Sequence, residues 1–260
     1  MKKRFNIRVL RDPRRRLGDR KSLELICELR GVAATCFDSV PSYQALVPRA
    51  DALDGKLLAL ARDRNGRLVA FMSAVLIQVE GVGEVLHTGL TCVAPGARSA
   101  GLTHRLSRAL LLSHLARVGL FSTVWVSNVA CVLSSLGNIA LHFDEVYPSP
   151  FESSSPSPAH RAVARAIDRH HREDIAIDPT ARFDPHAFVF RGSVAGTGLT
   201  KCEHDARFHH RDDALNEFYT ARMNFAAGDE VLQVGRFSLL TFASYLAGRK
   251  RQPAPRREAA

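Results

Sequence analysis

The segment Val93-Ala94-Pro95-Gly96-Ala97-Arg98-Ser99-Ala100-Gly101-Leu102-Thr103 has the makings of an anion site. It leads out of an apolar, alternating run into a long amphipathic one, and so joins the end of a strand to the start of a helix. The first N–H groups of such a helix have no partner within it, its dipole is positive there, and a glycine lets a phosphate approach the backbone closely. Two other segments carry suggestive residue types. Cys202, His204 and His209 suit zinc, but their spacing matches no standard site. We expect a solvated loop or acceptor contacts there, and no metal. Gly192–Lys201 is rich in glycine but lacks Gly-Lys-Ser/Thr at phosphate-loop spacing, which predicts a flexible connection out of a strand.

These residues need elements to position them. Residues 4–10 alternate as a first strand, and Asp19 is the expected N-cap of an amphipathic helix over the following apolar positions. Lys56–Ala61 and Leu68–Val79 flank Asp63-Arg64-Asn65-Gly66, where Asn-Gly predicts a tight two-residue hairpin turn. Glu84–Val93 completes a three-stranded meander. Leu102, Leu106, Leu110 and Leu115 share one face of a helix spanning 101–120 and ended by Gly119. Phe121–Ser127 reads as a strand buried on both faces, with Asn128 capping the next helix. After a polar stretch rich in serine and proline, Ala159–Arg172 reads as a basic helix whose end, His170-His171, suits the negative pole of its dipole. Ala187–Val194 and Glu230–Phe237 are the last strands, with a helix around 214–223 before the second.

In this order of elements, Val93-x-Pro95-x-x-Arg98-x-x-Gly101-Leu102 resembles the acyl-CoA signature of the GCN5-related N-acetyltransferase (GNAT) superfamily. The resemblance covers roughly residues 4–148. It implies an α/β fold with a GNAT-like mixed central sheet flanked by helices, here with a C-terminal extension or insertion. It also implies a donor, acetyl-CoA or another acyl-CoA, whose pyrophosphate lies on Arg98, Ser99, Ala100, Gly101, Leu102 and Thr103. Thr103 departs from the family, which has Gly or Ala there. The backbone of Thr91, Cys92 and Val93 would pair with the pantetheine arm.

The resemblance further implies catalytic groups. The family's basic residue, counted back along the strand from Arg98, falls on His87, whose ordinary pKa near ~6.5 suits taking a proton from an ammonium group. His87 is expected on one strand face with Gly89, Thr91 and Val93, and Glu84 is the competing carboxylate. The family's general acid, a tyrosine, is replaced here by Ser135, a poor acid for a thiolate; either Tyr147 or another group substitutes, or water protonates the thiolate, or ordinary turnover is lost. Asn128 would contact the acyl-CoA arm. The expected activity is acyl transfer, of acetyl in the first instance, to a small-molecule or peptide amine by direct attack. The competing reading is a GNAT-shaped binding module that has lost catalysis and docks on an acyl carrier protein or a nucleic acid.

Composition bounds these readings. The chain has 260 residues, 46% hydrophobic and 24% charged, enough to bury a core without metal or disulfides. The formal charge is +10, but residues 1–20 hold nine basic side chains against Asp12 and Asp19, and 249–260 hold five against Glu258. Residues 21–248 are therefore close to neutral. Phe5 is the one aromatic residue in the first cluster, so sequence-specific nucleic-acid binding is not expected; the ends suit solvent or an acidic partner such as an acyl carrier protein. Five widely spaced cysteines suit a reducing, cytoplasmic setting, and no apolar run is long enough to span a membrane. The expected organisation is a GNAT core over 1–150, a polar linker and inserted helix over 151–180, strands and helices over 181–248 that complete the acceptor side, and a basic tail over 249–260.

Overall fold

A computed structural model describes residues 5–151 and 155–247. Lys2, Lys3 and Arg4, the serines 153 and 154, and the basic tail 249–260 lie outside the described residues.

The sheet begins with β1 (Asn6–Arg11), β2 (Lys56–Arg62), β3 (Leu68–Val79) and β4 (Gly83–Val93), four antiparallel neighbours in that order. Helix α1 (Pro13–Ala33) lies between β1 and β2 in sequence. It starts earlier than expected and breaks at Gly18, whose φ of 74° is non-helical. Asp19 takes the Arg14 guanidinium at 2.7 Å. The β2–β3 turn also differs from the two-residue form. Gly66 has φ 79° while Asn65 does not enter the positive region, Gly66 N–H donates to Asp63 O, and the register slips between Ala61 and Arg62. Asp63 Oδ1 accepts from the N–H groups of Asn65 and Arg67, a local bond that favours this longer turn.

Helix α2 (Leu102–Val118) packs Leu102, Leu106, Leu110, Leu111 and Leu115 onto one face of β2–β4, against Leu57, Ala59, Ala70 and Leu86. Each buried leucine is worth ~2 kcal/mol of apolar transfer. Strand β5 (Val124–Ala130) starts later than the apolar run suggests: Phe121 is 96% exposed, in the turn after Gly119. Asn128 caps no helix. It is a strand residue paired with Gln233, and α3 (Leu133–His142) opens after Val132. The tertiary pairing overrides the capping preference of asparagine.

The sheet continues through β6 (Asp144–Tyr147), β7 (Arg182–Asp184), β8 (Val189–Arg191) and β9 (Glu230–Phe237). Its order is β1-β2-β3-β4-β5-β9-β8-β7, with β6 also on β9. Among the described residues β4 and β5 form the one parallel pair. Helix α4 (Pro158–His170), capped by Ser157, buries Val163, Ala164 and Ile167 on the face opposite α2, beside Val75 and Leu232. Helices α3 and α5 (Asp213–Thr220) cover β9 on the α2 face, and α6 (Leu239–Leu246) follows β9. No described helix is long and apolar enough to cross a membrane.

Candidate functional site

Strand β4 changes character midway. Val85, Leu86, His87 and Thr88 pair with Trp125, Val126, Ser127 and Asn128 of β5, and the pairing stops there. Gly89–Val93 stays bonded to β3 but carries no strand on its β5 side among the described residues, so the two parallel strands open into a cleft. At the same point β4 bulges: Ala74 faces Thr88 and Met72 faces Thr91, leaving Ser73 opposite both Gly89 and Leu90. The extra residue reverses the alternation of side chains. His87 accordingly faces the α1 and α4 side with Val85, Leu90 and Cys92, while Val93 joins Leu86 in the core under α2. His87 does not share a face with Thr91 and Val93, as simple alternation predicts.

The open strand leads into the candidate anion loop. Ser99 (φ 66°) and Gly101 (φ 64°) are both left-handed around Ala100, an alternation that turns successive N–H groups toward one concavity at the head of α2. A Cβ built on Gly101 meets nothing within 4 Å, so the space before it is free. Leu102 is buried and anchors the helix, whereas Thr103 faces solvent. Arg98, at the start of the loop, donates through Nε to Val93 O at 3.4 Å.

Asn128 closes the cleft at its deep end. It is 5% exposed, and its amide nitrogen has no hydrogen-bond partner among the described residues. Its neighbour Gln233 gives its amide nitrogen to Leu136 O and Tyr219 Oη. A buried donor left over at the point where two strands part is what a ligand lying between them would satisfy. The residues present thus fit the phosphopantetheine arm expected from the resemblance: free N–H groups at one end, an open strand edge along the middle and an orphaned amide at the other.

The expected catalytic residues fit less well. His87 is 1% exposed, and its Nδ1 is 3.0 Å from Ser127 Oγ. Burial, with the Lys56 ammonium in the same row of the sheet, pushes its pKa down to about 3. A base so weak, enclosed in the sheet, is no acceptor for an ammonium proton. Glu84 lies at the far end of β4, five residues or ~17 Å from the bulge at the rise of a strand. There it meets Arg117 and stands 3.7 Å from the buried His114. Tyr147 sits on β6, beyond β9 from the cleft, and donates to His186 O at 3.3 Å. Ser135 is half-buried in the first turn of α3, on the α2 face.

A group that sequence reasoning missed lies across the cleft. Glu230 begins β9, facing the same side as Phe190 and Leu232, and accepts from Ser193 Oγ at 2.7 Å. Burial pushes its carboxyl up to about 7, against the Ser193 hydrogen bond and the Lys201 charge. Ser193 is itself fixed: Asp229 takes Gly192 N–H and Arg191, and Gly228 (φ 75°) passes so close to Ala195 that a Cβ would come within 2.4 Å of its nitrogen. On the β4 side Ser73 Oγ donates to Gln44 Oε1 at 2.9 Å, over Gly89, and Gln44 Nε2 donates to Tyr43 Oη at 3.2 Å. Burial, and to a lesser degree the charge of Glu230, raises the Tyr43 pKa.

Two thiols mark the open strand. Cys36 Sγ donates to Val93 O at 3.5 Å, and its pKa is lowered chiefly by a hydrogen bond from Cys92, whose own pKa rises in consequence. His209 gives its Nε2 to Glu203 O, and no group of three potential metal ligands occurs among the described residues. His210 packs against Gly137 of α3, which places the 209–213 segment on the α2 face and away from Glu230.

No family model matches the chain, and no curated relative does. Similar solved structures include a GNAT family N-acetyltransferase from Escherichia coli in complex with CoA, at 18% identity over 54% of this chain and 70% of that one, with TM-score 0.39. An aminoglycoside N-acetyltransferase, AAC(6')-Iy, in complex with CoA is 18% identical over 44% of this chain and 72% of that one, TM-score 0.32. A ribosomal-protein-alanine N-acetyltransferase from Brucella melitensis biovar Abortus 2308 is 17% identical over 44% and 74%, TM-score 0.32. These are distant likenesses over about half of the chain. By its own topology, with one parallel pair among the described residues opening ahead of a strand–loop–helix, the chain has the α/β fold expected, a mixed central sheet flanked by helices.

Proposed function

We propose that this protein is an acyl-CoA-dependent N-acyltransferase that transfers an acyl group, acetyl in the first instance, to an amine. The observation that carries the reading is the parting of β4 and β5 after Thr88 and Asn128, in line with the Ser99–Gly101 concavity. The N–H groups of Ser99–Thr103 hold the donor pyrophosphate, with Arg98 beside them. The strandless edge of Thr91, Cys92 and Val93 pairs with the pantetheine amides, which take the place of the long Cys36 and Arg98 bonds to Val93 O, and the Asn128 amide nitrogen donates to the arm near the thioester. The thioester carbonyl then lies by the Gly89 bulge, where an amine arriving from the α1 and α4 side attacks it directly. The departing thiolate is protonated by solvent or by Ser135. No step needs a metal.

A carrier-protein thioester presents the same phosphopantetheine arm, and the setting is the cytoplasm. Calorimetric titration with acetyl-CoA, CoA and a holo acyl carrier protein tests the reading. It requires saturable binding of acetyl-CoA, or of the carrier protein, that Gly101→Val weakens strongly at a temperature where the variant is still folded. Absence of heat with all three would contradict it.

A further inference from the structure

Two polar groups on the α1 and α4 side of the cleft are not used by the donor. On the β4 side Ser73 and Gln44 at the bulge bond on to Tyr43; on the other, Ser193 bonds to Glu230 at the head of β9, one residue beyond the pairing of Val231 with Ala130 at the open end of β5. Beside Ser193 a groove of about 1150 Å³ ends on Ser193 and Ser42; its wall carries Asp168, Glu173 and Asp178 together with Arg172, which is paired with Asp168, and Arg182. The groove comes to Glu230 through Ser193, whose hydroxyl lies 2.7 Å from the carboxylate. Glu84 is taken by Arg117, whereas the hydrogen-bond partner of Glu230 among the described residues is a serine hydroxyl.

We propose that Glu230, oriented by Ser193, receives a cationic primary amine through this groove and takes its proton ahead of acyl transfer. This rests on the acyltransferase reading above and adds the acceptor class and the proton acceptor. The amine enters as ammonium, its N–H groups directed to Glu230 and Tyr43 Oη. One proton passes to the Glu230 carboxylate, and the freed nitrogen lone pair forms the C–N bond at the thioester carbonyl. The C–S bond breaks with its electron pair on sulfur. The second proton lost by nitrogen neutralises the thiolate, and Glu230 returns its own proton to solvent, giving amide, free thiol and one released proton. The groups facing Glu230 are Tyr43 from the turn before Gln44, Lys201 from the loop after β8 and Cys131 at the end of β5. Burial holds the carboxyl near neutrality and Lys201 works against it, so the base switches on as pH rises through about 7.

The test uses the full chain with acetyl-CoA and three probes: spermidine, kanamycin and a short peptide with a free N-terminus. CoA release is followed chromatographically. With any probe turned over, the account expects kcat to rise with pH around 7, and Glu230→Gln to lose about 100-fold or more of kcat together with that limb. Acetyl-CoA affinity of the variant should stay within about twofold, and Glu230→Asp should recover part of the rate and the limb. An unchanged pH profile in Glu230→Gln overturns the proposal. In parallel, carbon-13 spectra of glutamate-labelled protein should show one carboxyl titrating near neutrality, absent from Glu230→Gln and shifted by at least one of the three amines. No turnover and no amine-dependent shift, with acetyl-CoA binding intact, overturns the acceptor proposal alone. Loss of acetyl-CoA binding in the unaltered protein overturns the acyltransferase reading instead.

Discussion

The two halves of β4 make opposite use of similar residues. From Gly83 to Thr88 the strand is bonded on both edges, and its polar side chains are consumed by the protein: Glu84 by Arg117, His87 by Ser127 and Thr88 by Ser127 O. From Gly89 to Val93 one edge carries no strand among the described residues, its Val93 carbonyl meeting only the Cys36 thiol and Arg98 there; a bulge reverses the facing of side chains, and the Asn128 amide nitrogen nearby is left over. The histidine and glutamate with the most suggestive chemistry by type lie in the closed half. On the proposed reading, the chemistry lies where the backbone parts, and the side chains that serve it come from elsewhere.

Disturbing the open half should cost binding more than stability, with Gly101→Val adding backbone strain of its own. Gly101→Val puts a β-branched residue at φ 64° and fills the space before the loop; acetyl-CoA affinity should fall about 100-fold by calorimetry. Asn128→Leu removes an amide with no internal partner, so donor affinity should fall about tenfold while the urea midpoint holds or rises.

Disturbing the closed half should do the reverse. His87→Phe orphans Ser127 Oγ, which should cost ~1–2 kcal/mol in denaturant titration and leave turnover within about threefold. The pH dependence of stability sharpens the contrast. His87, at about 3, and His114, at about 4, resist protonation when folded. Below pH ~6.5 the unfolded chain binds more protons, so stability should fall on acidification by up to ~1.4 kcal/mol per pH unit for each ring. Glu230, raised to about 7, has the opposite sign: the folded state keeps a proton that the unfolded one releases near ~4.5, so stability also falls as pH rises from there through 7. Thermal melts should thus peak near pH 6–7, and Glu230→Gln should remove the alkaline decline. Glu84→Gln is the smallest change, under ~1 kcal/mol, with turnover within about twofold.

Much of the frame was legible in the sequence. Alternation marked β1, the Asn65-Gly66 turn between two apolar runs marked β2 and β3, leucine spacing marked α2, and the Arg98–Gly101 loop announced itself by glycine at a strand-to-helix junction. What was hidden depends on pairing between distant segments. Asn128 reads locally as a helix cap and becomes a strand residue only because Gln233 and Thr88 lie on either side of it. The β4 bulge leaves no mark in composition, yet it decides which way His87 points. Glu230 at the start of a strand looks ordinary until Ser193, Tyr43 and Lys201 converge on it from three other segments.

Amide hydrogen exchange with and without acetyl-CoA tests the division of β4 most directly. Donor binding should slow exchange at Gly89–Val93 and Ser99–Thr103, with Gly83–Thr88 already protected and unchanged. Protection confined to other segments, or none at the open half under saturating acetyl-CoA, would contradict it.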